Sequence, residues 1–273
     1  MRRPPYLPFL EGPPEFRVGL KPIPETAWLS PDIEAAALAE KNALIDRALA
    51  DVYRARPEAA AAEAEIETRI QDALGLAPKG TEEPALVRAA RLVSDDLVVM
   101  LRDHEGVWRA SSLILCSPTF FSAEQAFGQS LDWLHGPVPD QLGPNGTQAL
   151  GARIARMFDA LRDGLVMERF NWTVQASAAR YTPNGAPLRA LAETARLEDA
   201  LGLLHLRVER QTIRLMPQTG AVLFTIRISL DPLAAVFAVE GARAAFFRAW
   251  REAPDHVRGY KKWAAYERLV AAL

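Results

Sequence analysis

The sequence contains a single cysteine, Cys116, among 273 residues. One thiol cannot form a disulfide within the chain, and it excludes any zinc or iron-sulfur site that needs several cysteines. The four histidines do not pair at metal-ligand spacing and no HExxH pattern occurs, so a metal centre built from side chains alone has no support. A lone cysteine is typical of a reducing compartment, and we expect a cytoplasmic protein.

Several common functional patterns are also missing. Without a GxGxxG or Walker loop, a nicotinamide would have to bind another chain, and without a GxSxG elbow a serine hydrolase has little support. Prolines interrupt the apolar stretch near the start, and no later run is long enough to span a bilayer, so we predict neither a signal peptide nor a membrane segment. The net charge of -2 argues against nucleic acid as a partner.

The residues that are present predict one α+β domain over residues 1–273. A proline-rich extended arm without regular structure is expected over 1–32, followed by a mainly helical part over 33–90. The periodicity predicts two helices that could form a hairpin, then five mostly antiparallel strands in one curved sheet with helices on one side, then C-terminal helices. The predicted elements are helices 30–56, 57–76, 85–96, 122–127 and 151–162, strands 97–101, 107–116 and 168–174, a strand hairpin over 206–227, and helical structure from 231 onwards.

The last hairpin is the most informative segment. Its two strands carry charged side chains where a solvated hairpin would not need them, and Arg227 stands deep in an apolar strand. A buried guanidinium is costly unless it is paired or bound to a ligand. The segment therefore indicates an internal ion-pair network or an anionic pocket, while charges laddering across an exposed hairpin face remain an equally open interpretation.

His135 is the sharpest candidate for chemistry, because Gly136 and the prolines at 137 and 139 would fix its backbone. A fixed neutral imidazole suits a haem ligand, and aromatic neighbours such as Phe120 could line the macrocycle. A loop histidine held by hydrogen bonds is the alternative. For Cys116, a buried inert thiol is the default, and a haem thiolate is the second candidate after His135.

Two aromatic segments could each line a pocket. They are Asn171-Trp172 and the run from Tyr260 through Lys261 and Lys262 to Trp263. A core tryptophan and a solvated lysine pair are the favoured interpretations of these segments.

Short segments along most of the chain carry a resemblance to a known family: VGLK (18–21), RLV to DL (91–97), CSP (116–118), LHGPVP (134–139), NW (171–172), RVERQT (207–212) and GAVLFTIR (220–227). Together they resemble the haem-dependent oxidative N-demethylase family, whose founding activity is that of the haem subunit of dimethylamine monooxygenase. The resemblance implies a sheet like that of PAS sensor domains, which binds haem b and uses it for oxygen activation. It also implies electrons from NADPH, delivered through a separate flavin and iron-sulfur reductase.

The resemblance further implies roles for individual residues. His135 would be the proximal ligand of the iron, Arg210 and Arg227 would pair with the haem propionates or orient Glu209, and Glu209 would hold the ammonium of a small secondary amine near the iron. The other residues expected at the site are Asn171 in a catalytic role and Trp172, Phe120 and Cys116 beside the haem. The expected reaction is oxidative N-demethylation of a dimethylamine-like substrate by O2, with release of formaldehyde.

The chain also departs from the family pattern. Family members often continue the Asn-Trp strand with an aliphatic residue, a histidine and an acid, whereas this chain has Thr173, Val174 and Gln175. Ser117 and Thr119 change the familiar Cys-Phe-Pro-Ser pattern. These positions imply a different secondary amine, or haem binding without demethylation. A non-catalytic haem-binding sensor or carrier, and a PAS-like interaction domain without cofactor, are therefore the alternative functions.

Overall fold

The computed structural model describes residues 3–15, 19–29, 34–77, 82–119, 121–135 and 146–273. They form an α+β fold around a seven-stranded antiparallel sheet of order β1-β5-β6-β7-β3-β4-β2. The strands are β1 Lys21–Ile23, β2 Tyr53–Ala55, β3 Asp96–Arg102, β4 Trp108–Ile114, β5 Val166–Gln175, β6 His205–Met216 and β7 Ala221–Pro232.

Helices precede, interrupt and follow the strands. They are α1 Ala35–Val52, α2 Ala60–Leu74, α3 Ala85–Ala90, α4 Ala123–Ala126, α5 Leu131–Leu134, α6 Gly146–Ala160, α7 Ala186–Thr194, α8 Ala200–Leu203, α9 Leu233–Phe237, α10 Ala242–Glu252, α11 Asp255–Tyr260 and α12 Glu267–Ala271. Short 3-10 turns occur at Pro8–Leu10, Glu25–Ala27, Pro57–Ala59, Leu197–Asp199 and Trp263–Ala265. Within the described ranges, no helix has both the length and the apolar character that crossing a bilayer requires.

The β6–β7 hairpin is the centre of the sheet, and its prediction is confirmed. The two strands pair continuously from His205 opposite Pro232 to Met216 opposite Ala221. The turn closes where the Gly220 amide donates to the Met216 carbonyl at 2.8 Å, with a Gly220 φ of +70° that a side chain would disfavour. Glu65 of α2 accepts hydrogen bonds from the backbone amides of the same turn, which holds the hairpin against the helix.

The predicted β3–β4 hairpin and the predicted strand at β5 are also confirmed, but the count of five strands is wrong. The arm contains β1, which pairs with β5, and the segment predicted to be helical up to Arg56 ends instead in β2, which pairs with β4. Each added strand is three residues long, which is too short for a period of two to be recognised. Both lie at the two edges of the sheet, where pairing with a longer strand defines them.

Helices cover both faces of the sheet, so the expectation of helices on one side is wrong. On the cavity face, defined by Ile213 of β6, Val222 of β7 and Val98 of β3, helices α4 to α6 contribute to the core. On the opposite face, α1 to α3 pack against one end of the sheet and the C-terminal helices against Leu206 and Val208. Successive residues of a strand alternate between these faces, so each strand supplies two different environments.

Candidate functional site

A cavity lies between the cavity face of the sheet and helices α4, α5 and α6. The space that the centre of a water molecule can reach inside it is about 240 Å³, which leaves room for an organic ligand. One part of its wall is apolar: Val98, Phe224 and Ile213 lie opposite one another across three strands, beneath Ile154 and Phe158 of α6. The next two rows are mixed: Asp96 and Gln211 lie on either side of Ile226, and Glu209 lies opposite Ile228.

His135 lines this cavity at the end of α5. Its Nδ1 lies 2.7 Å from the carbonyl oxygen of Leu131, one turn earlier, so Nδ1 carries the proton and donates. The other ring nitrogen, Nε2, is then the one with a free electron pair. Burial lowers the pKa of His135, and the positive charge of Arg169 lowers it further, so the imidazole is neutral at pH 7. Residues 136–145, including the glycine and prolines expected to stiffen this loop, lie outside the described residues.

The polar part of the cavity lining, which we call the polar wall, is built by Asn171 of β5 and by Glu209 and Gln211 of β6. Asn171 lies opposite Glu209 in the sheet register. The Glu209 carboxylate accepts hydrogen bonds from Asn171 Nδ2 at 3.2 Å and from Gln211 Nε2 at 3.1 Å. Lys261 Nζ donates to Asn171 Oδ1 at 2.8 Å, which fixes the orientation of that amide. The carboxylate is therefore anchored at one end of the cavity by two neutral donors.

Two arginines complete the polar wall. The Arg207 side chain is 1 % exposed; it donates to the Ser117 carbonyl oxygen and to Gln175 Oε1, and its Nε lies 3.8 Å from Glu209 Oε1. Arg169 lines the cavity two residues before Asn171. Desolvation lowers the pKa of both guanidinium groups, and the negative charge of Glu209 opposes that shift.

Lys261 and Tyr260 approach the polar wall from the end of α11. Lys261 is 5 % exposed, so the expectation that both lysines of this segment are solvated is wrong for Lys261, whereas Trp263 is buried as predicted. Burial lowers the pKa of Lys261 to about 8, and the Glu209 charge opposes the shift. Burial raises the pKa of Tyr260 to about 12, and Glu209 contributes in the same direction.

The structure brings together only part of the residues expected at the site. Glu209, Asn171 and His135 all line the cavity. Trp172 lies on the opposite face, in the aromatic core with Trp263. Cys116 is buried in the cluster beneath α1 to α3, where burial raises the pKa of its thiol to about 12. Phe120 lies outside the described residues.

The two arginines expected to bind propionates also lie on the opposite face, and we correct that expectation. Arg227 pairs with Asp95, with Nη2 to Oδ2 at 2.6 Å, and Arg210 pairs with Glu168, with Nε to Oε1 at 2.6 Å. The physical reason is the strand period: Glu209 and Arg210 are neighbours in sequence and therefore point in opposite directions. The charged hairpin thus contains an ion-pair network on one face and a polar pocket on the other.

Some departures from the family pattern fall at or near the cavity, whereas Val174 is packed in the core on the opposite face. Ser117 and Thr119 line the cavity. Gln175 does not; it donates to the carbonyl oxygens of Ser177 and Ala179 and accepts from Arg207, so it supports the wall from behind. The residues that sequence reasoning missed are Arg169, Arg207 and Gln211. A signal for Arg169 was present, because Arg169, Asn171 and Thr173 alternate with large apolar side chains along β5.

The sequence matches one known family over most of its length. The family model described as "Haem-dependent oxidative N-demethylase, alpha subunit-like" matches residues 26–271, nearly the whole chain. A search of curated proteins found no match. Because the family match covers nearly the whole chain, the chain belongs to the haem-dependent oxidative N-demethylase, alpha subunit-like family.

Proposed function

We propose that this chain, through a PAS-like domain spanning its length, binds haem b in the cavity and catalyses oxidative N-demethylation of a small secondary amine such as dimethylamine. The observation that carries the proposal is the presence of His135 and Glu209 in one cavity. His135 Nε2 would bind the iron, since Nδ1 already donates to Leu131. Glu209 would bind the substrate ammonium.

The residues of the cavity fit a haem group. Haem is a flat apolar ring with two carboxylates at one edge, and the cavity has an apolar part and a polar, cationic part. The apolar rows around Ile213 and Phe224 suit the ring, and the polar wall suits the carboxylates and the substrate. Arg210 and Arg227 are not part of this proposal, because their side chains belong to the opposite face.

When bound, haem supplies the activation of oxygen. The side chains of this chain bind and orient the amine: the Glu209 carboxylate accepts a charge-assisted hydrogen bond from the ammonium, and Asn171 and Gln211 keep that carboxylate in place. The overall reaction consumes O2, the amine, NADPH and a proton, and it releases formaldehyde, water, NADP+ and the demethylated amine. Its electrons would come from a flavin and iron-sulfur reductase, and the family's designation as an alpha subunit supports a separate partner.

The first experiment compares absorption spectra of wild-type protein and His135→Ala after haem reconstitution. We expect a Soret band of histidine type in the wild type and its loss in His135→Ala. The matched control is His205→Ala, because His205 Nδ1 also bonds to a backbone carbonyl oxygen, that of Leu203 at 2.9 Å, but does not line the cavity. No Soret band in the wild type, or an unchanged band in His135→Ala, would overturn the haem site.

The same spectra test the amine site. Dimethylamine should perturb the Soret band of the wild type, and Glu209→Gln should weaken that response about 10- to 100-fold, because a hydrogen bond between two charged groups is lost. Glu168→Gln, a carboxylate of β5 on the opposite face, is the control. A haem band that no amine perturbs would contradict the demethylase and leave a haem-binding sensor or carrier. Formaldehyde formation with a reductase completes the test.

A further inference from the structure

The Arg169 guanidinium lines the cavity, and the negative charge of Glu209 acts on it. This guanidinium has five N–H donors, yet it forms no hydrogen bond or ion pair with any residue that the structure describes. Its nearest carboxylate in the cavity, Glu209, is already held by two amides. In the sheet register Arg169 lies opposite Gln211, whose amide also turns towards Glu209. None of the described residues accepts an N–H group of Arg169, so these donors can serve a ligand.

The charge balance of the polar wall points to an anionic ligand. Among the described residues that line the cavity or bond to its polar wall, the basic ones are Arg169, Arg207 and Lys261. The acids of the same set are Glu209 and Asp96, which stands at the start of β3. The Asp96 carboxylate accepts hydrogen bonds from the backbone amides of Cys116 and Ser117 at 2.8 and 2.9 Å. These bonds stabilise the backbone that follows β4. The charge of Glu209 acts on all three basic groups, so a second carboxylate supplied by a ligand would improve the balance, and it can accept two parallel hydrogen bonds from a guanidinium.

We propose that Arg169 binds a carboxylate inside the cavity, an inference that rests on the proposed function and extends it. Two molecules could supply this carboxylate: a propionate of the haem, or an N-methyl amino acid as the amine substrate. In the second case Glu209 would bind the ammonium of the amino acid and Arg169 its carboxylate. The substrate would then be a zwitterion rather than a simple alkylamine.

The position of Arg169 suits either source. Arg169 lines the inner cavity and also an outer groove, whose lining includes the acids Glu11 and Glu168. Because Glu168 lies on the opposite face of β5, a carboxylate bound on the cavity side of Arg169 would not face it. Arg207 is a poorer candidate, because Ser117 and Gln175 already accept two of its N–H groups and its Nε, which has no hydrogen-bond partner among the described residues, lies 3.8 Å from Glu209.

The first arm of the test distinguishes the haem. Binding of haem b and of haem dimethyl ester, which lacks free propionates, is titrated spectroscopically with wild type, Arg169→Gln and Arg169→Lys. If the propionate is the ligand, Arg169→Gln binds haem b about 10- to 100-fold more weakly and binds the ester as the wild type does. Arg169→Lys should recover part of the loss, since it keeps the charge but not the planar fork.

The second arm distinguishes the substrate. Calorimetry compares N-methylglycine with N-methylethylamine, which lacks the carboxylate, on haem-loaded protein and on protein without haem. If the substrate carboxylate is the ligand, the wild type prefers N-methylglycine, and Arg169→Gln loses that preference about 10- to 100-fold. Arg251→Gln, on the exposed side of α10, should match the wild type in both arms.

The outcomes separate this inference from the proposed function. If haem and amine bind and Arg169→Gln has wild-type affinity for all four ligands, the carboxylate site is overturned and the proposed function stands. If the wild type binds none of the four, both fail. N-methylglycine binding that depends on Arg169 in protein unable to bind haem would support the carboxylate site and contradict the proposed function.

Discussion

Lys261 shows at the level of one residue how the polar wall is built. Its ammonium is buried and donates to Asn171, so its position is set by one hydrogen bond and by the nearby Glu209 charge. Burial lowers its pKa to about 8 from an ordinary value of 10.5. Between these two pH values the unfolded chain holds this proton more often than the folded chain does.

This difference predicts a pH dependence of stability. Because the unfolded state binds more protons between pH 8 and 10.5, the contribution of Lys261 makes the free energy of unfolding rise with pH in that window, by up to about 3 kcal/mol. Urea unfolding from pH 7.5 to 10 should show wild type gaining stability relative to Lys261→Met. Lys262→Met, at the neighbouring exposed lysine, should follow the wild type. Parallel pH profiles for wild type and Lys261→Met would refute the argument.

The strands of this protein place structural side chains on one face of the sheet and candidate functional side chains on the other. Along β6 the odd-numbered residues from 207 to 213 face the cavity, while Arg210, Thr212 and Arg214 face the helices on the other side. Arg210 joins the sheet to the N-terminal segment by donating to the carbonyl oxygens of Trp28 and Ala27 at 2.8 and 2.7 Å. The charges on the two faces therefore have different roles.

Arg227 in β7 gives a test of that separation. Arg227→Met leaves Asp95, which is fully buried, without this counter-charge, and we expect a loss of about 3–5 kcal/mol in urea unfolding. Adding Asp95→Asn should recover part of the loss, because it removes the uncompensated charge. Haem affinity of the folded Arg227→Met protein should be unchanged, in contrast to an Arg169 variant that loses a propionate contact. A large loss of haem affinity would instead show that the opposite face contributes to the pocket.

The sequence was sufficient for the long elements and for part of the site. The strand β5 can be predicted because an alternating pattern extends over ten residues. The hairpins can be predicted because residues that favour turns separate two strand-like segments. Period two also divides β6 into two sets of side chains, but it does not say which set faces the cavity. That choice depends on where α4 to α6 pack, which is why the sequence alone does not show that Glu209 lines the cavity and Arg210 does not.

At the scale of the molecule, the cavity is held between the sheet and the cluster that includes α4 to α6. If haem binds in this cavity as proposed, its binding should stabilise the whole fold, because it binds the folded state and not the unfolded one. A ligand present at 100 times its dissociation constant adds about 2.7 kcal/mol. We expect the Tm to rise with haem concentration in wild type and His205→Ala, and to be unresponsive in His135→Ala. Equal Tm values with and without haem would contradict binding to the folded state.

The alternation of β6 also bears on how this chain tolerates insertions and deletions. If one residue were inserted between Gln211 and Met216, Glu209 would stay in the cavity only if the residues before the insertion kept their pairing with β5. Every side chain of β6 after the insertion would then point to the opposite face. The same residue added in the turn after Met216 would leave both faces as they are. Length changes among natural variants of this chain should therefore collect in the 217–220 turn and be rare inside β6.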